Sequence, residues 1–93
     1  MIIGYFSFEI YLPYSHSLKE KRKCLSRLKE RLKTKYNIAV AELDFQEKWQ
    51  RSRIGLVTIS NQKLVIDKIF QKIALDIEKN IDGEILNTEI QFF

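Results

Sequence analysis

Cysteine and histidine are nearly absent from this sequence of 93 residues, which contains one of each, Cys24 and His16. A single cysteine excludes an internal disulfide, and one cysteine with one histidine is too few for the side-chain clusters that hold zinc or iron. Neither residue has a sequence neighbour suited to activating it for nucleophilic catalysis. We therefore assign no metal ligand, no cofactor and no catalytic residue from the sequence.

Long apolar stretches are absent as well. No segment approaches the roughly 18 apolar residues of a membrane span, and the first residues lack the charge and size order of a secretory signal. We therefore expect a cytoplasmic protein without a membrane partner. A chain of 93 residues, of which 45% are hydrophobic, predicts a single domain over residues 1–93 with one modest core. Such a core leaves little room for a deep active site, which argues against an enzyme.

Positive charge is concentrated in one segment. The formal net charge is +4, but residues 17–35 contain nine basic and two acidic residues, so this segment has a surplus of seven charges and the remainder is mildly acidic. Such clustering favours a polyanion or an acidic surface as the partner over a small neutral ligand. The alternative is a solvated helix face that only keeps the protein soluble.

The first half of the sequence predicts a strand followed by a helix. Residues 2–12 alternate as a strand does, with the even positions facing the core, and Pro13 ends the strand. Ser17 and Glu20 have the spacing of a capping box, which predicts a helix to about Lys35. Its apolar stripe comprises Leu18, Leu25, Leu28, Leu32 and Tyr36.

The remaining elements complete a βαββαβ order. Strands are predicted at 38–44, 53–60 and 84–93, and a second helix extends from a cap at Ser60 or Asn61 to about Asn80. This order predicts a ferredoxin-like α+β sandwich, in which two helices cover one face of a four-stranded antiparallel sheet. In finer detail, we expect Val65 on the buried face of the second helix, and Leu86, Thr88, Ile90 and Phe92 facing inward from the last strand.

The other sheet face is predicted to be apolar and open. We expect it to carry Ile3, Tyr5, Tyr11, Ile38, Val40, Val57 and Ile59. A face this apolar favours a covering partner, and a homodimer through the sheet is one alternative.

The first helix is predicted to display a row of cations. Lys19, Lys23, Arg27 and Arg31 follow one another at i, i+4 spacing on the side opposite the leucines, and Arg22 lies near the helix start. Contacts between such cations and phosphates hold a nucleic acid without recognising its base sequence. Lys21 falls instead on the inward stripe, so we expect a structural role, with its amine reaching an acidic residue such as Glu42 or Asp44.

A connection around Trp49 is the second candidate binding segment. Trp49, Gln50, Arg51 and Arg53 could stack on an unpaired RNA base and hydrogen-bond to its edge. The alternative is that Trp49 caps the end of the core, with Arg51 stacked on it or paired to Asp44. The exposure of Trp49 distinguishes the two interpretations.

Several short motifs together resemble one known family. They are residues 17–22 (SLKEKR), 40–44 (VAELD), 49–51 (WQR) and 60–61 (SN), which in this order resemble the YlxP-like family of small bacterial proteins over nearly the whole chain. The resemblance implies a ferredoxin-like domain of unknown function. Genes of that family commonly lie among those for translation initiation and ribosome maturation, so the resemblance implies ribosomal RNA or a ribosomal particle as partner.

The sequence thus favours a noncatalytic protein that contacts structured RNA through the first helix and the Trp49 connection. A protein-interaction module, or a homodimer, is the main alternative. A small acylphosphatase-like hydrolase shares the predicted architecture, but residues 12–17 (LPYSHS) contain none of the glycines that a phosphate loop after the first strand would need. The sequence of the third strand also lacks the aromatic residues with which RNA-recognition modules stack bases on their sheet.

Overall fold

The computed structural model describes all residues from 1 to 93. Its elements are β1 (Ile2–Tyr11), α1 (Leu18–Lys35), β2 (Ala39–Asp44), β3 (Arg51–Ser60), α2 (Lys63–Asn80) and β4 (Glu84–Phe92). The strands form one sheet in the order β2-β3-β1-β4, and every neighbouring pair is antiparallel. The predicted ferredoxin-like α+β fold is confirmed.

One apolar core lies between the sheet and the two helices. Phe6, Phe8 and Ile10 of β1 and Leu12 directly after it are buried, as the alternation predicts, together with the leucines of α1 at 25, 28 and 32. From α2, the core receives Ile66, Phe70, Ile73 and Ile77. Gly4 allows α2 to approach the sheet, since a Cβ there would lie 2.4 Å from Cγ2 of Ile66.

The predicted start of α1 is correct. The Ser17 hydroxyl accepts a hydrogen bond from the Glu20 amide at 3.1 Å, and the Glu20 carboxylate accepts one from the His16 amide at 2.7 Å. In a standard capping box, the Glu20 carboxylate would accept from the amide of the N-cap residue, Ser17. Here it accepts from the amide of the preceding residue, His16, and still satisfies a backbone donor at the helix start.

The predicted facing of β2 is wrong. Ala39 and Ala41 pair with Val57 and Gly55 on the open face, whereas Ile38 and Val40 pack against the core on the helix side. Both sides of this short strand carry apolar residues, so the alternation does not determine its register. Leu43 also lies on the open face, where it covers Gly55.

The predicted inward set of β4 is partly wrong because the strand contains a bulge. The pairing with β1 shifts between Ser7 and Glu9, and Asn87 adopts a left-handed φ of 50°. A bulge of one residue reverses the alternation. Ile85 therefore pairs with Ile10 and packs on the core, while Leu86 pairs with Glu9 on the open face. Thr88 is exposed; Ile90 and Phe92 keep the predicted side, although Ile90 remains 49% exposed.

Two details of α2 differ from expectation. Its N-cap is Gln62, which makes no side-chain capping bond, while the Ser60 hydroxyl accepts from the Gln62 amide at 3.1 Å. Val65 is 41% exposed and does not belong to the buried face. Neither helix of the protein has the length and apolar character needed to cross a bilayer.

Candidate nucleic-acid interface

Lys21 fixes the segment that carries Trp49. Its side chain is fully buried, and Nζ donates to the backbone carbonyls of Phe45 at 2.7 Å, Arg51 at 3.1 Å and Gln46 at 3.3 Å. The Glu42 carboxylate lies 3.1 Å from the same nitrogen, so the predicted structural role of Lys21 is confirmed. A buried ammonium needs such partners, because an unpaired one would incur a large desolvation cost.

The connection between β2 and β3 is bent around this ammonium. Phe45 adopts a left-handed φ of 64°, a conformation that is unfavourable for an aromatic residue, and its amide donates to the Asp44 carboxylate at 2.7 Å. The bond from Lys21 to the Phe45 carbonyl stabilises that conformation. One inward-pointing lysine of α1 thus sets the path of the loop on which Trp49 lies.

Trp49 is 55% exposed, so the interpretation that it caps the core is wrong. It lines a surface recess of about 350 Å³ together with Tyr11, Lys48, Gln50 and Arg51. Tyr11 comes from the end of β1, directly opposite Arg51 in the β1–β3 ladder. The recess therefore has two aromatic side chains and two cations around it.

Gln50 and Arg51 are partly engaged within the protein. The Gln50 amide nitrogen donates to the carbonyls of Pro13 at 3.0 Å and Ser15 at 3.3 Å, which ties the loop to the segment before α1. The Arg51 guanidinium lies over the Phe45 ring, 4.8 Å from its centroid, and pairs with the Glu9 carboxylate. The Arg51 guanidinium is therefore neither stacked on Trp49 nor paired with Asp44, whereas the core-capping interpretation predicts one of these contacts.

Arg53 belongs to a polar cluster on the open sheet face. Its guanidinium donates to the Ser7 hydroxyl at 2.7 Å and to the Asn87 carbonyl at 2.9 Å, and it lies 3.8 Å from the Glu9 carboxylate. The hydrogen bond from Arg51 holds the pKa of Glu9 below its usual value, against the opposing effect of desolvation. With these contacts made, Arg53 has few donors left for a ligand.

The cations near the start and on the outer side of α1 are exposed and unpaired. No carboxylate lies within 4.0 Å of Lys19, Arg22, Lys23 or Arg27, all of which are exposed. Arg31, the last member of the predicted row, is different. Its Nε donates to Asp76 of α2 at 2.7 Å, and its side chain is 39% exposed. Four of the five predicted cations of α1 are therefore free to meet a ligand.

Asp76 joins the two helices. Its nearly buried carboxylate accepts from Arg31 through Oδ1 and from Lys35 through Oδ2, at 2.7 and 2.9 Å. Burial by itself would raise the pKa of Asp76, but the hydrogen bonds from Lys35 and Arg31 outweigh this effect and the pKa is lowered. The residue is therefore a carboxylate at neutral pH.

The structure brings some of the predicted residues together and separates others. Trp49, Gln50 and Arg51 share one recess, which also includes Tyr11 and Lys48, two residues that the sequence analysis does not identify. Arg53 and the cations of α1 lie outside this recess. The odd-numbered position of Tyr11 on β1 is the sequence signal that could have identified it, since it predicts the open face.

Cys24 is half-buried, and burial raises the pKa of its thiol, as expected for a packed side chain. No group of three metal-ligating side chains is present.

Comparisons with known proteins agree with this architecture and assign no activity. A relative in Bacillus subtilis (strain 168), described as "Uncharacterized protein YlxP", is 31% identical over 90 residues, which cover 95% of this chain and 98% of the relative. A solved structure described as "Structural Genomics, protein YJCS" superposes with a TM-score of 0.57 at 13% identity, over 96% of both chains, which supports the fold alone. The family model "Protein of unknown function (DUF503)" matches residues 3–90. The chain therefore belongs to the DUF503 family, as the YlxP-like resemblance predicts.

Proposed function

We propose that this protein is a noncatalytic RNA-binding protein that contacts structured RNA, in particular ribosomal RNA or a ribosomal particle, which would place it in the cytoplasm. The observation that carries the proposal is the set of unpaired cations on α1. Lys19, Lys23 and Arg27 are exposed, and no carboxylate of the protein neutralises them.

The spacing of these cations suits a phosphate backbone. Residues four apart on a helix rise by about 6 Å, which is close to the separation of consecutive phosphates along a strand. Of the two acidic residues of α1, Glu20 accepts a hydrogen bond from the His16 amide at the helix start, and Glu30 has no cation within 4.0 Å. The row thus retains its positive charge, and it would hold RNA without selecting a sequence.

The Trp49 recess supplies a second type of contact. An indole that is 55% exposed offers a stacking surface for an unpaired base, and Lys48 and Arg51 on the same recess can bind the adjoining phosphate. Recognition of loops or bulges in structured RNA uses this combination of a stacked base and backbone contacts. Gln50 and Arg53, which are held by internal bonds, would support the loop without touching the RNA.

Crosslinking in cells tests this proposal. The protein would be crosslinked to nucleic acid by ultraviolet light, purified, and its RNA sequenced, in parallel with the variants Lys23→Glu/Arg27→Glu and Lys63→Glu/Lys68→Glu. The second variant reverses the same number of charges on α2. We expect ribosomal RNA to be enriched with the native protein and the α2 variant and lost with the α1 variant. Equal recovery from both variants, or no RNA from the native protein, would contradict the proposal.

A homodimer through the open sheet face is the second candidate function, favoured by exposed apolar side chains there. Leu43, Val57 and Ile59 are 48%, 38% and 61% exposed, and a shallow apolar recess of about 240 Å³ lies beside the first two. Sedimentation equilibrium measures the oligomeric state. A dimer that dissociates with Ile59→Lys but persists with Leu64→Lys, an exposed leucine of α2, would support this interface; a monomer at all concentrations would exclude it.

A further inference from the structure

A second cationic site lies between the two helices, on residues that the proposed RNA surface does not use. It includes Arg31, which belongs to the predicted row of α1 but is paired with Asp76. A groove of about 440 Å³ separates the C-terminal half of α1 from that of α2. The charged and amide side chains that line it are Arg31, Lys35, Lys72, Asp76, Lys79 and Asn80. Four cations thus surround one carboxylate, which leaves a local surplus of three positive charges.

Both oxygens of the single carboxylate, that of Asp76, accept hydrogen bonds from neighbours within the protein. Oδ1 of Asp76 accepts from Arg31 Nε at 2.7 Å and from Asn80 Nδ2 at 3.1 Å, while Oδ2 accepts from Lys35 Nζ at 2.9 Å. Lys72 and Lys79 have no carboxylate within 4.0 Å. Asp76 therefore positions two of the cations and does not neutralise the other two.

Donors remain available in the groove after these bonds are made. The bond to Asp76 uses only Nε of Arg31, so both terminal nitrogens of the guanidinium can donate, and Lys35 retains two of its three N–H groups. A guanidinium held at Nε is oriented before a ligand arrives, which suits two-pronged recognition of a phosphate. The Arg31–Asp76 pair is thus a support for an anion site as well as a contact between helices.

Helix dipoles explain only part of this charge. Lys35 and Lys79 lie in the last turns of α1 and α2, where cations are generally favourable. Lys72 lies in the middle of α2, where the dipole has no such effect. Lys72 lies in the groove about two turns before Lys79 on the same face of α2. The surplus of positive charge is therefore a property of the groove and not of either helix end.

We infer that this groove binds a phosphate group, held by Arg31, Lys35, Lys72 and Lys79. A surplus of three charges suits the dianion of a phosphate monoester, or a phosphodiester with a neighbouring phosphate, better than one carboxylate of an acidic peptide. The phosphate could belong to an RNA backbone or to a phosphorylated small molecule, and the experiment below distinguishes these sources. The site does not require the Trp49 recess and stands independently of the proposed RNA surface.

Titration with inorganic phosphate, followed by NMR of the ¹⁵N-labelled protein, tests the site directly. We expect saturable shifts of the Arg31 Nε–H signal and of the backbone amides around Lys72 and Lys79, which sodium chloride of equal ionic strength and sodium acetate do not produce. The variant Lys72→Gln/Lys79→Gln should bind phosphate about tenfold more weakly. The variant Lys33→Gln/Lys68→Gln removes one exposed charge from each helix outside the groove and should bind as the native protein does.

Two dinucleotides then identify the source of the phosphate. If only a 5′-phosphorylated dinucleotide binds, the groove takes a terminal phosphate; if the 5′-hydroxyl form binds equally, it takes a phosphodiester, and both results support the site. Shifts that acetate reproduces, that do not saturate, or that are the same in the two double variants would overturn it. Because free phosphate is the probe, this result does not depend on whether α1 and Trp49 bind RNA.

Discussion

The ammonium nitrogen of Lys21, on the first helix, lies 3.1 Å from Oε2 of Glu42, on the edge strand, and the lysine side chain is entirely buried. The same nitrogen binds three carbonyls of the loop that leads to Trp49. This buried ammonium connects the fold to the candidate interface, together with the Gln50 amide that ties the loop to the carbonyls of Pro13 and Ser15.

Replacing Lys21 should therefore destabilise the protein strongly. Lys21→Met keeps the length of the side chain but leaves the Glu42 carboxylate and three carbonyls without their cation, and we expect the free energy of unfolding to fall by about 3–5 kcal/mol. Urea denaturation measures this change. Lys19→Met, an exposed lysine on the same helix, should change it by no more than about 0.5 kcal/mol. Equal effects of the two substitutions would contradict the structural role of Lys21.

Acid should weaken the contact between the helices. The pKa of Asp76 is lowered in the folded protein, so this residue stabilises the fold above its unfolded pKa near 3.8, and the contribution is lost as the pH falls through the lower folded value. Glu9, whose pKa is also lowered, adds to this loss in the same direction below about pH 4.5.

Urea midpoints at pH 7 and at pH 3 measure this dependence. Asp76→Asn should lower stability at pH 7 and lose less on acidification than the native protein does, since it has no proton to take up at this position. Asp67→Asn, on the same helix and without a salt bridge, provides the control. An undiminished loss in Asp76→Asn would show that Asp76 does not carry the dependence.

Two glycines in the sheet should respond differently to the same substitution. A Cβ at Gly4 would lie 2.4 Å from Cγ2 of Ile66, a fully buried side chain, so Gly4→Ala should reduce stability by about 1–3 kcal/mol. A Cβ at Gly55 would meet Cδ1 of Leu43 at the same distance, but Leu43 is 48% exposed and can move away. Gly55→Ala should therefore cost less, as thermal unfolding of the two variants would show. The reverse order would contradict the packing of α2 on β1.

The sequence is sufficient to predict the elements whose signals are local. Ser17 and Glu20 identify the start of α1, and the leucine spacing identifies its buried side, because both patterns depend on residues within one or two turns. The register of β2 is not predictable in this way, since Ala39 and Val40 are both apolar. The bulge at Asn87 likewise arises from pairing with β1, and alternation within β4 alone places Leu86 on the wrong side.

In the candidate site, too, the sequence reveals local features but not the contacts that form when the helices pack. The charge surplus of α1 can be read from the sequence, but the partner of Arg31 cannot, because Asp76 lies 45 residues away and meets it only when the helices pack. For the same reason, Lys72 and Lys79 appear in the sequence as ordinary surface lysines. The exposure of Trp49 also depends on tertiary structure, through the loop that Lys21 holds.

Trp49 should contribute to RNA binding and little to stability. With its ring half exposed, Trp49→Ala should change the free energy of unfolding by no more than about 0.5 kcal/mol, but weaken binding of a single-stranded or looped RNA by about 1–3 kcal/mol. As the only tryptophan, it should also report binding of the native protein by fluorescence quenching. Tyr14→Ala, at an exposed aromatic residue outside the recess, is the matched control. Equal affinities of both variants would exclude base stacking on Trp49.

The salt dependence of RNA affinity tests the central claim, that the exposed cations of α1 contact phosphates. Each contact adds about −0.7 to −0.9 to the slope of log affinity against log salt concentration, so about five contacts give a slope near −3.5 to −4.5. Lys23→Gln/Arg27→Gln should reduce the magnitude of this slope by about 1.4 to 1.8, and Lys63→Gln/Lys68→Gln should leave it unchanged. An affinity that does not vary with salt, or equal slopes for the native protein and the α1 variant, would contradict the account.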